Sequence, residues 1–129
     1  GDDTIPQNDE GDEYMTLAVT PTNSSNKLII NVRANVIHSG TAGAHYGALF
    51  QDSTANALAT AWAAKNAAAH NPTMLVIDHY MTAGTTSETT FKFRSGISVS
   101  GTTTFNGVLG ARFFGGSFAS SITITEVAT

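Results

Sequence analysis

At 129 residues the chain has room for one domain, and folding at that size buries roughly two thirds of the unfolded surface, enough for a single core. There is no cysteine, which excludes a disulfide framework and a thiolate metal site, and no run of about 18 apolar residues, which excludes a transmembrane helix and argues against membrane insertion. The net charge of -4 is concentrated at the start: six of the ten acidic residues lie within residues 1–13, and no basic patch with interleaved aromatics invites nucleic acid.

Residues 1–13 read as an extended, solvated acidic arm, because Pro6 and Gly11 interrupt any regular element. Its run of Asp9, Glu10, Asp12 and Glu13 lacks the spacing of an EF-hand loop, so no metal is expected there. Residues 14–129 read as a single β-domain. Tyr14 to Thr20 alternates Met15, Leu17 and Val19 against Thr16 and Thr20, a first strand that Pro21 ends. Lys27 to His38 is the clearest strand, with Leu28, Ile30, Val32, Ala34 and Val36 on one face and Asn31, Arg33 and Asn35 on the other. His38 continues the inward face and is expected to be partly buried and hydrogen-bonded. His45 to Gln51 is a third strand, with Tyr46, Ala48 and Phe50 sharing one parity.

From Ala55 to His70 the local signals conflict. Nine of sixteen residues are alanine, the best helix former, yet no apolar stripe at helical spacing accompanies them. The flanking strands and short turns favour a strand over Ala57–Ala64 and a loop over Lys65–Pro72. Trp62, the only tryptophan, either packs on the core or a subunit interface, or stands exposed as a platform for a sugar ring.

Thr73 to Val99 reads as the hairpin at the centre of the domain. Its first arm runs from Met74 to Met81. Its second places Thr89, Phe91, Phe93 and Ile97 opposite Thr90, Lys92 and Arg94, and the turn Thr82–Ser87 supplies Gly84. Asp78 and His79 are neighbours in a strand, so they face opposite ways and form no dyad with each other. Gly101 to Gly107 is turn-rich, Arg112–Phe114 reads as a short strand, and Ser121 to Val127 alternates Ile122 and Ile124 against threonines. About eight strands at regular spacing predict an all-β chain, an antiparallel β-sandwich of jelly-roll type.

Several segments together carry a resemblance. They are Asp3-Thr4-Ile5-Pro6-Gln7, Leu17-Ala18-Val19-Thr20-Pro21, Asn26-Lys27-Leu28-Ile29-Ile30, Met81-Thr82-Ala83-Gly84-Thr85-Thr86, Gly101-Thr102-Thr103-Thr104-Phe105-Asn106-Gly107 and Ser120 to Val127. Nearly the whole chain resembles a C-terminal head domain of bacteriophage and prophage tail-fibre or head-fibre proteins, with Ser39 to Asn71 matching least. The resemblance implies a jelly roll shaped like the tumour-necrosis-factor and C1q heads, a homotrimer, a place on the extracellular virion beside other fibre segments, and attachment to a bacterial surface carbohydrate or protein. It implies no cofactor and no reaction.

On that basis Trp62, Lys65, Asn66, His70 and Asn71 are the expected ligand contacts, through a stacking ring and hydrogen-bonding amide and imidazole groups. Tyr46, Phe50, Phe113 and Phe114 are the expected subunit interface. The alternative is a purely structural virion domain, a capsid decoration or trimerisation cap that touches no receptor. An enzyme is not expected: outside the arm the carboxylates are only Asp52, Asp78, Glu88 and Glu126, and no nucleophile elbow is present.

Overall fold

The structure, a computed structural model, describes residues 2–68 and 70–129. Ten strands follow in order: β1 (Asp12–Val19), β2 (Lys27–His38), β3 (Gly43–Gln51), β4 (Ala59–Lys65), β5 (Pro72–Thr82), β6 (Thr89–Ile97), β7 (Thr103–Phe105), β8 (Gly107–Val108), β9 (Ala111–Arg112) and β10 (Ser121–Val127). A 3-10 turn at Phe114–Gly116 separates the last two. The chain is all-β with antiparallel pairing throughout. One four-stranded sheet has the order β1-β6-β3-β4; the other is β10-β2-β5, with β7 also on β2; β8 and β9 form a small hairpin.

β2 is the axis of the second sheet. β5 pairs along one edge from Lys27 to Ile37, while the other edge is shared, β10 against Lys27–Arg33 and β7 against Val36–His38. Asn35 fills the gap between them. Its backbone N–H donates to the Ser120 hydroxyl at 2.8 Å, its side-chain amide donates to the Ala119 carbonyl at 2.7 Å, and its carbonyl accepts from the Asn106 N–H at 3.0 Å. Both backbone groups of Asn35 thus stay paired across the change of partner.

Both sheets contribute to one core. Leu28, Ile30, Val32 and Val36 of β2 are fully buried, as the alternation predicts, and meet Leu49 of β3, Leu75 and Ile77 of β5, and Phe91 and Phe93 of β6. Each such aliphatic or aromatic side chain contributes about 1.5–3 kcal/mol by leaving water. The ring centroids of Tyr14 and Phe105 lie 4.9 Å apart beside this core.

The alanine-rich segment is a strand, β4. Ala59, Ala61 and Ala63 turn half-buried toward the core; Thr60, Trp62 and Ala64 turn out. Pairing with β3 from Gly43 to Leu49 overrides the helix propensity of alanine. Ala69 of the following loop lies outside the described residues.

Two expectations are corrected. β5 and β6 do not form a hairpin: β5 pairs with β2 in one sheet, and β6 with β1 and β3 in the other. The connection is pulled across by bonds to the turn before β2, with the Ala83 N–H on the Asn26 carbonyl at 2.8 Å and the Gly84 N–H on the Ser24 carbonyl at 2.9 Å. The two apolar parities therefore face each other through the core instead of lying side by side. The expected strand at Arg112–Phe114 ends at Arg112, because Leu109, Gly110, Phe114, Gly115 and Gly116 all have positive φ, which strand backbone does not adopt. Conversely, the turn-rich segment after Gly101 contains β7.

Gly47 sits on the inward face of β3, where a Cβ would lie 2.7 Å from Cε2 of Phe93 and 3.1 Å from Cδ1 of Leu75. The Phe93 ring thus lies against bare backbone. Gly47→Val should destabilise by about 1–3 kcal/mol through overpacking. Because the clash is with that ring, Gly47→Val combined with Phe93→Leu should cost less than the two single changes added, a coupling measurable in a double-mutant cycle of urea melts.

Candidate functional site

The acidic arm is exposed along most of its length and is pinned to the first sheet and the loop before β4. The Asn8 N–H donates to the Ala55 carbonyl at 2.8 Å, the Ala57 N–H to the Pro6 carbonyl at 3.0 Å, and Gln7 bridges to Asn56. From the sheet side, Arg94 of β6 donates through Nε to the Glu10 carbonyl at 2.8 Å and through its terminal nitrogen to the Gly11 carbonyl. The arm carries its own local bonds: Asp2 accepts from the Thr4 N–H and hydroxyl, and Glu10 from the Gln7 N–H at 2.7 Å. The two Thr4 bonds favour the ionised form and hold the Asp2 carboxyl below its usual range.

Between the arm and the outer face of the sheet runs an open groove of about 590 Å³. Tyr46 and Phe50 of β3 and Thr60 and Trp62 of β4 contribute to its floor; Asp2 and Glu10 come from the arm. Tyr46 and Trp62 are direct cross-strand partners, so two aromatic side chains stand next to each other on one face. Trp62 is 64% exposed. Of the two expectations for this residue, burial in the core of the chain is ruled out.

The five expected contact residues do not form one surface. Trp62 points outward from β4, whereas Lys65, three residues on, points inward and is buried. The Lys65 ammonium donates to the carbonyls of Gly40 and Asn66 at 2.7 Å and shares its remaining N–H between those of Thr41 and Ala68 at 3.3 Å. It ties two loops together and offers no donor to a ligand in this arrangement. Asn66 accepts from the Ala68 N–H at 2.9 Å, shaping the same loop. His70 is exposed and Asn71 half-buried, both in the connection that leads from β4 to the second sheet.

The four expected interface residues divide as well. Phe50 is 1% exposed within a single chain and is closed off from a partner; Tyr46 belongs to the groove. Phe113 is half-buried, and Phe114 is 76% exposed, with ring centroids 5.3 Å apart and Phe118 close to both. Thr60, Arg94 and the arm join the site without any local signal in the sequence, and Tyr46 and Trp62 come together only through the β3–β4 register.

A second polar cluster lies inside. His38 is buried, with Nε2 3.2 Å from the Ser100 carbonyl and Nδ1 2.9 Å from the Thr103 hydroxyl. A carbonyl only accepts, so Nε2 donates to Ser100, while the Thr103 hydroxyl can either donate to Nδ1 or accept from it. His45, 6.1 Å away ring to ring, is fully buried with neither nitrogen hydrogen-bonded. Burial, reinforced by His38 and Lys65, pushes its imidazole down to about 4 from 6.5. Among the described residues no three His, Cys, Asp or Glu side chains converge as metal ligands, and no helix is long and apolar enough to cross a membrane.

No protein-family model matches the chain, and a search of curated proteins finds no match.

The buried His45 makes a definite prediction. Its folded pKa lies below its unfolded one, so between pH 6.5 and about 4 the unfolded chain holds more protons. Its contribution is complete above pH 6.5 and is lost as the pH falls through that window, a change on the order of 3 kcal/mol. His45→Leu should flatten this part of the stability profile, leaving the slope from His79, whose partial burial also lowers its pKa. It should not destabilise at pH 7, because it removes an unpaired buried polar group. Urea unfolding between pH 4 and 7 measures both effects.

Proposed function

We propose that this chain is a receptor-binding domain of a phage fibre, attaching the virion to a host-surface glycan through the groove beside Trp62. The observation that carries the reading is the 64% exposure of that ring next to Tyr46. Leaving a large apolar ring in water forgoes the roughly 1.5–3 kcal/mol that its burial could supply. An exposed aromatic face stacks on the C–H face of a sugar ring, while flanking hydroxyls and carboxylates bond its hydroxyl groups. Thr60, Tyr46 and the arm carboxylates supply such groups around the groove. The all-β architecture and the resemblance to fibre heads agree with this reading. Several weak sites displayed on one fibre would reinforce each other through avidity.

Trp62→Ala should lower binding to host cells or to a positive glycan by at least about tenfold, in line with loss of a stacking platform worth roughly 1.5 kcal/mol. Because the side chain is exposed, the melting temperature should hardly move. Equal binding by the variant and the parent chain would remove the groove from consideration.

A jelly-roll trimer is the assembly we favour for this domain, and Phe114 supports it. The residue is 76% exposed at positive φ, and Leu109, at the turn of the β8–β9 hairpin, is also exposed at positive φ. Bulky side chains seldom take that conformation without a compensating contact. If the structural alternative holds and the domain is only a trimerisation cap, these residues would carry its whole role. Light scattering should then give a mass three times the 13.4 kDa of one chain, and Phe114→Ser should shift it toward the monomer. A monomeric parent chain would sink the trimer and leave the groove reading standing.

A further inference from the structure

We infer that the N-terminal arm makes the Trp62 groove select glycans that carry no negative charge; this rests on reading the groove as a glycan site. The first support is placement. The arm is fixed by backbone bonds to residues 55–57 and by Arg94, so its charges have a defined position relative to the groove. The second is sign. Asp2 and Glu10 line the groove, and Asp3 and Asp9 lie exposed on the same arm.

Among the described residues the only cation in the lining is Arg94, which gives two of its five N–H donors to the neutral Glu10 and Gly11 carbonyls and whose single charge offsets only one of the two lining carboxylates. Lys92, the next cation on that face of β6, lies outside the lining, with its ammonium 3.4 Å from the Asp52 carbonyl. The third is scale. A cavity of 590 Å³ is about 8 Å on a side if taken as a cube, no more than one screening length at physiological salt. A ligand in the groove is therefore only partly screened from both carboxylates. The fourth is the platform itself: the negative π-face of an aromatic ring repels an anion and attracts C–H groups and ammonium.

A uronic acid, sialic acid or phosphate seated there meets two carboxylates and the faces of two rings, against the single cation of the described lining residues, Arg94. A neutral hexose meets acceptors for its hydroxyls. A free amino group on the sugar gains further.

The test uses the full 129-residue chain, fluorescently labelled, on a microarray of bacterial polysaccharides and oligosaccharides spanning neutral, amine-bearing, uronic, sialic and phosphorylated members. The expected hits are neutral or amine-bearing. The best neutral glycan and its uronate counterpart are then titrated at 25 and 300 mM salt, following the fluorescence of Trp62, the only tryptophan. In the variant Asp2→Asn/Asp3→Asn/Asp9→Asn/Glu10→Gln each replacement keeps an acceptor oxygen. Its ratio of acidic to neutral affinity should rise about tenfold at low salt and less at high salt. Acidic glycans bound as well as neutral ones, or a ratio unmoved in the variant, would overturn the charge selection while leaving the glycan reading intact. Silence from every glycan, with the chain folded, would overturn both.

Discussion

β2 has a hydrogen-bonded partner on each edge and an inward face of fully buried Leu28, Ile30, Val32 and Val36, and the placement of the other strands follows from it. A twelve-residue strand buried in this way has little freedom of register, since a slip of one residue would turn these side chains outward and bring Asn31 and Arg33 inside. With β5 fixed on one side and β10 and β7 sharing the other, the edges of β2 are used up. β5 keeps a free outer edge, yet β6 does not take it and lies between β1 and β3 in the facing sheet. The separation of β5 from β6 goes with the bonds that tie Ala83 and Gly84 to the turn before β2. Neither strand's own pattern contains it.

The same constraint shapes the candidate site. Because β3 gives its inward parity to His45, Gly47 and Leu49, its outward parity carries Tyr46, Ala48 and Phe50. That outer face is too apolar to be left bare along its whole length. Phe50 and Ala48 are nevertheless buried, and the acidic arm lies along this face, held through Pro6, Gln7 and Asn8 to the loop that precedes β4. Beside Trp62 the face stays open. The groove therefore has one wall made of sheet and one made of a segment held mainly by a few hydrogen bonds. In such a segment the free energy of local opening is lower than that of the core.

Much of the fold was legible because a period of two reports which side chains share a face. That periodicity placed β1, β2, β3, β6 and β10, and it put His38 inside and Asp78 and His79 on opposite sides. It says nothing about partners. An apolar strand followed by a turn and another apolar strand is compatible with a hairpin or with two strands stacked across a core. Here the deciding contacts, Ala83 to Asn26 and Gly84 to Ser24, span about sixty residues of sequence. The segment from Gly107 to Gly116 failed for another reason. Positive φ at Leu109 and Phe114 goes against the ordinary preference of those residues, so composition pointed to extended chain.

Site legibility had the same limit in sharper form. The expected contacts were gathered by closeness in sequence around Trp62, but in a strand an odd spacing sends two residues to opposite faces. Lys65 accordingly ends inside, holding four carbonyls, while the neighbours of Trp62 come from β3 and from the arm. The loop Lys65 secures and the groove Trp62 lines are therefore separate devices within one strand. Loosening the loop need not disturb the aromatic face, and truncating the aromatic face need not loosen the loop. That independence makes the exposure of Trp62 informative, since the surrounding fold is complete without contacts from its ring. The proposed glycan site would give that exposed ring a partner.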